Sequence, residues 1–199
     1  MILGITGGTG SGKTTLLRTA EALGFQVLDC DRIYHKLLET DSNLLEAIES
    51  RFPGTVQDGQ LQRKKLGAVV FADPSALADL NTVTHSAIRQ AVEARMVSGQ
   101  NTAIDAIGLF ESGLSDLCDV TVAVTAPKEH RLQRLMTRDG ITEAYARSRI
   151  EAQPEDSYYR QRCAFVLEND GDEPQFQLKC LAFFHQLGIM KENSQEEST

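Results

Sequence analysis

Apolar positions along this chain follow two rhythms. Short, nearly unbroken apolar runs at residues 2–6, 26–29, 102–106, 120–125 and 165–168 have the length and β-branched content of buried strands. Between them, apolar residues recur every three or four positions, the period of a helix with one buried face. Strands alternating with helices predict an α/β fold in three layers, a five-stranded parallel sheet covered by helices on both faces. The stretch between the second and third runs, about 70 residues, is far longer than one crossover helix needs. It carries helical periodicity at 43–52, 62–71 and 74–97 and predicts a helical lobe set beside the sheet.

The first run leads directly into "GGTGSGKTT", residues 7–15. Gly7-x4-Gly12-Lys13-Thr14 has phosphate-loop spacing, and the pattern requires a strand before it and a helix after it, as here. Gly8, Thr9, Gly10, Ser11 and Gly12 would turn their N–H groups inward around anionic oxygens, and a helix beginning near Lys13 adds the positive end of its dipole. Lys13 would reach the β- and γ-phosphates of a nucleoside triphosphate. Thr14, followed by Thr15, would place a hydroxyl on a Mg²⁺ ion bridging the same phosphates. A flexible glycine linker needs neither the Lys-Thr pair nor the flanking strand and helix. The fold expectation thereby narrows to a P-loop nucleotide-kinase-like domain.

At 199 residues there is room for one well-buried domain with appended segments. A net charge of −8 argues against non-specific nucleic-acid binding and against docking on anionic membranes. Cys30, Cys118, Cys163 and Cys180 are scattered without metal-type spacing and read as reduced, mostly buried residues. No signal-like start and no apolar run near 18 residues is present, so a cytoplasmic location is expected. Within this acidic chain, residues 128–162 hold eight of the twenty Lys and Arg. Arg131, Arg134 and Arg138 recur on one helical face, Leu132, Leu135 and Met136 on another, and Gly140 then ends the helix. A row of guanidiniums, a glycine break and a polar helix with Arg147 and Arg149 suit a lid that closes over phosphates; a solvated face with pairs such as Glu143 to Arg147 is the plainer alternative.

Two carboxylates, Asp29 and Asp31, bracket the end of the second strand in "LDCDRIYHKLL". A kinase acting on a hydroxyl needs a carboxylate near the acceptor to orient it and take its proton, and Asp31 is the candidate. The competing reading makes Asp31 the N-cap of the following helix. Asp105, ending the third strand, stands where such enzymes often keep an acidic Mg²⁺ partner. "DAIG" also fits the Asp-x-x-Gly of a GTPase switch, but no Asn-Lys-x-Asp accompanies it. His35, His85, His130 and His185 form no metal-spaced set.

Taken in order, several stretches resemble one family over nearly the whole chain, the dephospho-coenzyme A kinases. They are "GITGGTGSGKTT", "LDCD", "KKLGAVVFADPSALADLNTVTH", "LFESGL", "RLQRLMTRDG" with the later "RI" and Gln153, and "LEND". The resemblance implies transfer of the ATP γ-phosphate, with Mg²⁺, to the ribose 3′-hydroxyl of dephospho-coenzyme A. It makes Asp31 the base, Lys13 and Thr14 phosphate and metal contacts, Arg138 and Arg149 lid-side partners of ATP, and Asn169 a neighbour of adenine. Leu66, Phe71, His85 and Ile88 would line the acceptor site. The implied organisation is a core of 1–30, 99–137 and 163–190, a substrate lobe of 31–98, a lid of 138–162 and a disordered tail of 191–199. Oligomeric state stays open. Ser86 stands where the family commonly has proline, Ile107-Gly108 alters the turn before Phe110 and Glu111, and His35 replaces a frequent arginine. A kinase for another small metabolite is the nearest competing enzyme.

Overall fold

The computed structural model describes residues 1–189; the expected tail of 191–199 lies outside them. The chain runs β1 (Ile2–Thr6), α1 (Lys13–Ala22), β2 (Gln26–Asp29), α2 (Cys30–Thr40), α3 (Ser42–Arg51), β3 (Val56–Gln57), β4 (Gln60–Leu61), α4 (Arg63–Val70), α5 (Pro74–Glu93) and β5 (Thr102–Asp105). It continues with a 3-10 turn (Leu114–Leu117), β6 (Val120–Thr125), α6 (Lys128–Asp139), α7 (Glu143–Glu151), α8 (Asp156–Arg162), β7 (Phe165–Glu168) and α9 (Glu173–Gln186). The main sheet has the order β2-β5-β1-β6-β7, and every pairing in it is parallel. From β1 the chain moves outward to β2, returns to β5 and then builds on the other side. The crevice beyond the carboxyl end of β1 is therefore the switch point where such sheets bind ligands.

Alternation along the strands divides the core between two faces. Ala103 packs with Leu3, Ile5, Leu16, Phe176 and Phe184 beneath α1 and α9, whereas its neighbour Ile104 packs with Leu28, Ile33, Leu37, Ile48 and Val92 beneath the lobe helices. A third, smaller core joins α6 to α7 through Leu132, Leu135, Ala146 and Ile150. The expected strands and lobe helices are all present, with ends shifted by a few residues, most at α5, which stops at Glu93. The antiparallel β3–β4 hairpin was not foreseen, being two residues per strand. Helix α5 runs unbroken through Ser86, and the four cysteines are free thiols. The turn after β5 is held at Ile107, whose carbonyl accepts from the Thr6 hydroxyl at 3.0 Å, and at Glu111, which accepts from the Tyr158 hydroxyl at 2.6 Å.

Candidate active site

Residues 7–12 wrap from the end of β1 to the first turn of α1, whose leading N–H groups have no intrahelical partners. Gly12 caps this helix at φ 108°, and a Cβ there would collide with the Asn169 side-chain amide, so only glycine fits. A Cβ on Gly8 would run into the Arg131 guanidinium. Lys13 reaches back across the loop and donates to the Gly7 carbonyl at 2.8 Å. Burial pushes its pKa down, opposed by the negative charges of Asp105 and Asp31.

A shell of polar side chains braces the loop from outside. Arg131 Nε donates to the Thr9 carbonyl at 2.9 Å, and Gln153 Oε1 accepts the Thr9 N–H at 2.7 Å. Arg134 donates to the Gly10 and Ser11 carbonyls and to Asn169, whose own amide donates to Ser11 O at 2.8 Å. This corrects one expectation: Arg131 is not part of an open row facing the phosphates. It is 4% exposed, tied to Thr9 and Asp156, and lies behind the loop. The i, i+3, i+7 spacing is real, but α6 packs against the loop at Arg131, so that side chain is buried.

Three carboxylates stand near the strand ends. Asp29 and Asp105 are register partners across β2 and β5, and Asp31 follows in the first turn of α2. The cap of α2 belongs to Asp29, which accepts the Arg32 N–H at 3.0 Å. Asp31 therefore does not serve as the cap; its carboxylate makes no hydrogen bond or ion pair among the described residues and lines the cavity. Asp105 Oδ1 is buried without a hydrogen-bond partner, and burial pushes its pKa up to about 6 against the pull of Lys13. A buried acceptor oxygen with nothing to accept from suits a hard cation or water bound to one. No three His, Cys, Asp or Glu side chains cluster as a metal cage among the described residues, so an ion here would take most of its ligands from phosphate and water.

The loop, the carboxylates and the arginine helix enclose a cavity of about 660 Å³. Thr9, Gly10, Gly12, Lys13, Thr14 and Thr15 line it together with Asp29, Asp31 and Asp105 and with Arg134, Arg138, Arg149 and Gln153. Gly8 and Ser11 do not line it; Ser11 is buried behind the loop, its carbonyl taken by Arg134 and Asn169. Asn169 reaches the cavity wall but spends its amide on the loop, beside Gln133, Thr137, Glu173 and Phe176. Arg138 and Arg149 both donate to Asp139, which the two guanidiniums hold down at about 2.

The four expected acceptor contacts lie elsewhere. Leu66, at 5% exposure, packs in the core of the lobe among Val70, Ile48 and Leu80. Ile88 packs against the same core, Phe71 is 85% exposed, and neither they nor His85 are among the lining residues. Asp139, Gln133, Thr137, Glu173 and Phe176 were not singled out from sequence. Gln133 and Thr137 share the i, i+4 relation and lie one residue before Arg134 and Arg138, a periodic signal that would have found them.

The dephospho-CoA kinase family model matches residues 1–175. A dephospho-CoA kinase from Corynebacterium diphtheriae is 40% identical over 177 residues, covering 85% of this chain and 88% of that one. One from Latilactobacillus sakei is 34% identical over 89% of this chain and 92% of its own. Among solved structures, TT1252 from Thermus thermophilus aligns with a TM-score of 0.79 at 31% identity, covering 96% of this chain and 98% of that one. A shikimate kinase from Bacteroides thetaiotaomicron, at 14% identity and a TM-score of 0.59 over 94% of this chain and 98% of its own, shares the fold. With the phosphate loop, the freed carboxylate and the arginine cover in place, the chain is a kinase and belongs to the dephospho-CoA kinase family.

Proposed function

We propose that this chain phosphorylates the ribose 3′-hydroxyl of dephospho-coenzyme A with ATP, giving coenzyme A and ADP. The observation that carries the reading is Asp31: a carboxylate at the strand ends, released from capping duty by Asp29, lining the same cavity as Lys13. The acceptor oxygen attacks the γ-phosphorus, the bond to the β,γ-bridging oxygen breaks, ADP leaves with the electron pair, and the hydroxyl proton passes to Asp31. Loop N–H groups, Lys13 and the arginine pair Arg138 and Arg149 counter the charge on the moving group. With Mg²⁺ bound, Thr14 and Asp105 would hold the ion, which supplies charge neutralisation at the β- and γ-phosphate oxygens. Lid closure by 138–162 over the core keeps water from replacing the acceptor. Gln133, Thr137, Glu173 and Phe176 offer a mixed polar and aromatic wall for the base, with Asn169 fixing the loop beside it.

The lobe of 31–98 takes the acceptor in this reading, with Phe71, exposed on it, and His85 and Ile88 as candidates for its lining. Free thiols and the metabolic role support action in the reducing cytoplasm. No helix among the described residues is long and apolar enough to cross a membrane. ADP release from Mg²⁺-ATP, measured with dephospho-coenzyme A, with adenosine and with no acceptor, tests the proposal. Release that requires dephospho-coenzyme A, with product phosphorylated at the 3′ position, supports it. Equal release in all three arms would overturn the acceptor and leave only the phosphate loop.

A further inference from the structure

Asp139 ends α6, and α7 begins a few residues later, after Gly140. An acid in the last turn of a helix opposes the helix dipole, which favours cations there, so helix stability gives no reason for it. Its contacts do. Oδ1 accepts from Arg138 Nε at 2.6 Å, and Oδ2 accepts from Arg138 Nη2 at 3.1 Å and from Arg149 Nη1 at 2.7 Å. One carboxylate thus gathers a guanidinium from each of two helices, and both arginines line the cavity above the phosphate loop.

The bonding leaves each arginine with unused donors. A guanidinium carries five N–H groups in a fixed plane. Arg138 keeps Nη1, and Arg149 keeps Nε and Nη2, with no other hydrogen bond among the described residues. Fixing one edge of the fork sets the direction of the other. Nor is Asp139 needed to hold the two helices together. Leu132, Leu135, Ala146 and Ile150 form a core between α6 and α7, and Lys128 pairs with Glu151 at 2.9 Å at the far end.

We propose that Asp139 is a positioning residue that presents Arg138 and Arg149 to the terminal phosphate of the donor as one preset pair. The inference rests on the kinase reading given above. Asp139 touches no reacting atom; it acts by removing the search each long side chain would otherwise make before meeting the phosphate.

Two readouts test this, one of them independent of the acceptor. The first is the ratio of affinities for a non-hydrolysable ATP analogue and for ADP, measured by calorimetry with Mg²⁺ on the full chain. In Asp139→Asn the advantage of the analogue falls about fivefold or more, while ADP affinity changes less than twofold. The second is steady-state transfer to dephospho-coenzyme A, where kcat falls about tenfold and the KM for the acceptor stays within twofold. Both losses vanish when Asp139→Asn is placed in an Arg138→Ala/Arg149→Ala background, because there is no pair left to position. A loss persisting undiminished in that background would make Asp139 a structural residue of the α6–α7 corner. Unchanged affinities in the single variant would also overturn the proposal, and tighter analogue binding would make the carboxylate a competitor of phosphate. If the parent protein fails to use dephospho-coenzyme A, the acceptor reading fails and the affinity ratio still decides the role of Asp139.

Discussion

Asp29 accepts the backbone N–H of Arg32 at 3.0 Å and so closes the N-terminus of α2 with its own side chain. Asp31, two residues on, is thereby excused from that task. Two carboxylates of the same chemistry on the same segment differ in role because only one has the extended backbone of a cap position, φ −86° and ψ 107°. Asp31→Asn should lower kcat about 10²–10⁴-fold with nucleotide affinity nearly unchanged. Asp29→Ala should first show as a loss of about 1 kcal/mol in unfolding free energy. Steady-state kinetics beside denaturant melts separate the two, and an Asp31→Asn enzyme with parental kcat would remove Asp31 from the chemistry.

Lys13 is held across the loop by the Gly7 carbonyl, among Asp105 and Asp31. Lys13→Ala should weaken binding of an ATP analogue and slow transfer together, since it removes a charge facing the phosphates in both ground and transition states. A variant with reduced kcat but parental analogue affinity would contradict this and give the lysine a transition-state role alone.

Asn169 is the joint between β7 and the loop: it donates to Ser11 O at 2.8 Å and accepts from Arg134 Nη2 at 3.0 Å. It is 5% exposed, so Asn169→Ala removes two hydrogen bonds from a buried joint and should cost about 1–3 kcal/mol of stability. Nucleotide affinity should fall with it, because the loop that presents the N–H groups loses its fixed carbonyl. Parallel calorimetry and thermal melts check both parts; weaker binding at unchanged stability would instead place the amide directly on the base.

Much of this architecture is legible in the chain because the strands are short, apolar and separated by helices of clear period. The loop is legible because its glycines and Lys13 must stand at fixed spacing to surround a phosphate. What escapes is whatever depends on where one element passes another. Periodicity put Arg131, Arg134 and Arg138 on one face correctly, yet cannot say that α6 crosses behind the loop at Arg131 and leaves it only at Arg138. Leu66 has the apolar character of a substrate contact and of a core residue alike, and only packing assigns it to the core. Asp139 escapes because its partners are an adjacent residue and one beyond a glycine turn, a pairing no helical spacing announces. Asp31 read as the alternative cap, and a single pair of backbone angles gives that place to Asp29 instead.

Asp105 should cost the ligand-free protein more stability at neutral pH than in acid. Its carboxyl is pushed up to about 6 by burial, with one oxygen unpartnered, against an ordinary value of 3.8. A carboxyl that binds its proton more tightly when folded contributes stability below about pH 4 and loses it as pH rises through 6. The difference corresponds to an order of magnitude of 3 kcal/mol. Asp105→Asn removes the charge while keeping the shape, so without nucleotide or Mg²⁺ it should melt above the parent at pH 7.5. The gap should close as pH falls toward 4.5, where the parent carboxyl is protonated as well. The same variant should lose transfer activity at every pH, which would mark the carboxylate as kept for its ligand at the expense of the empty fold. Melting curves of parent and variant across that range decide it; a gap independent of pH would mean that Asp105 is already neutralised by Lys13 in the ligand-free protein.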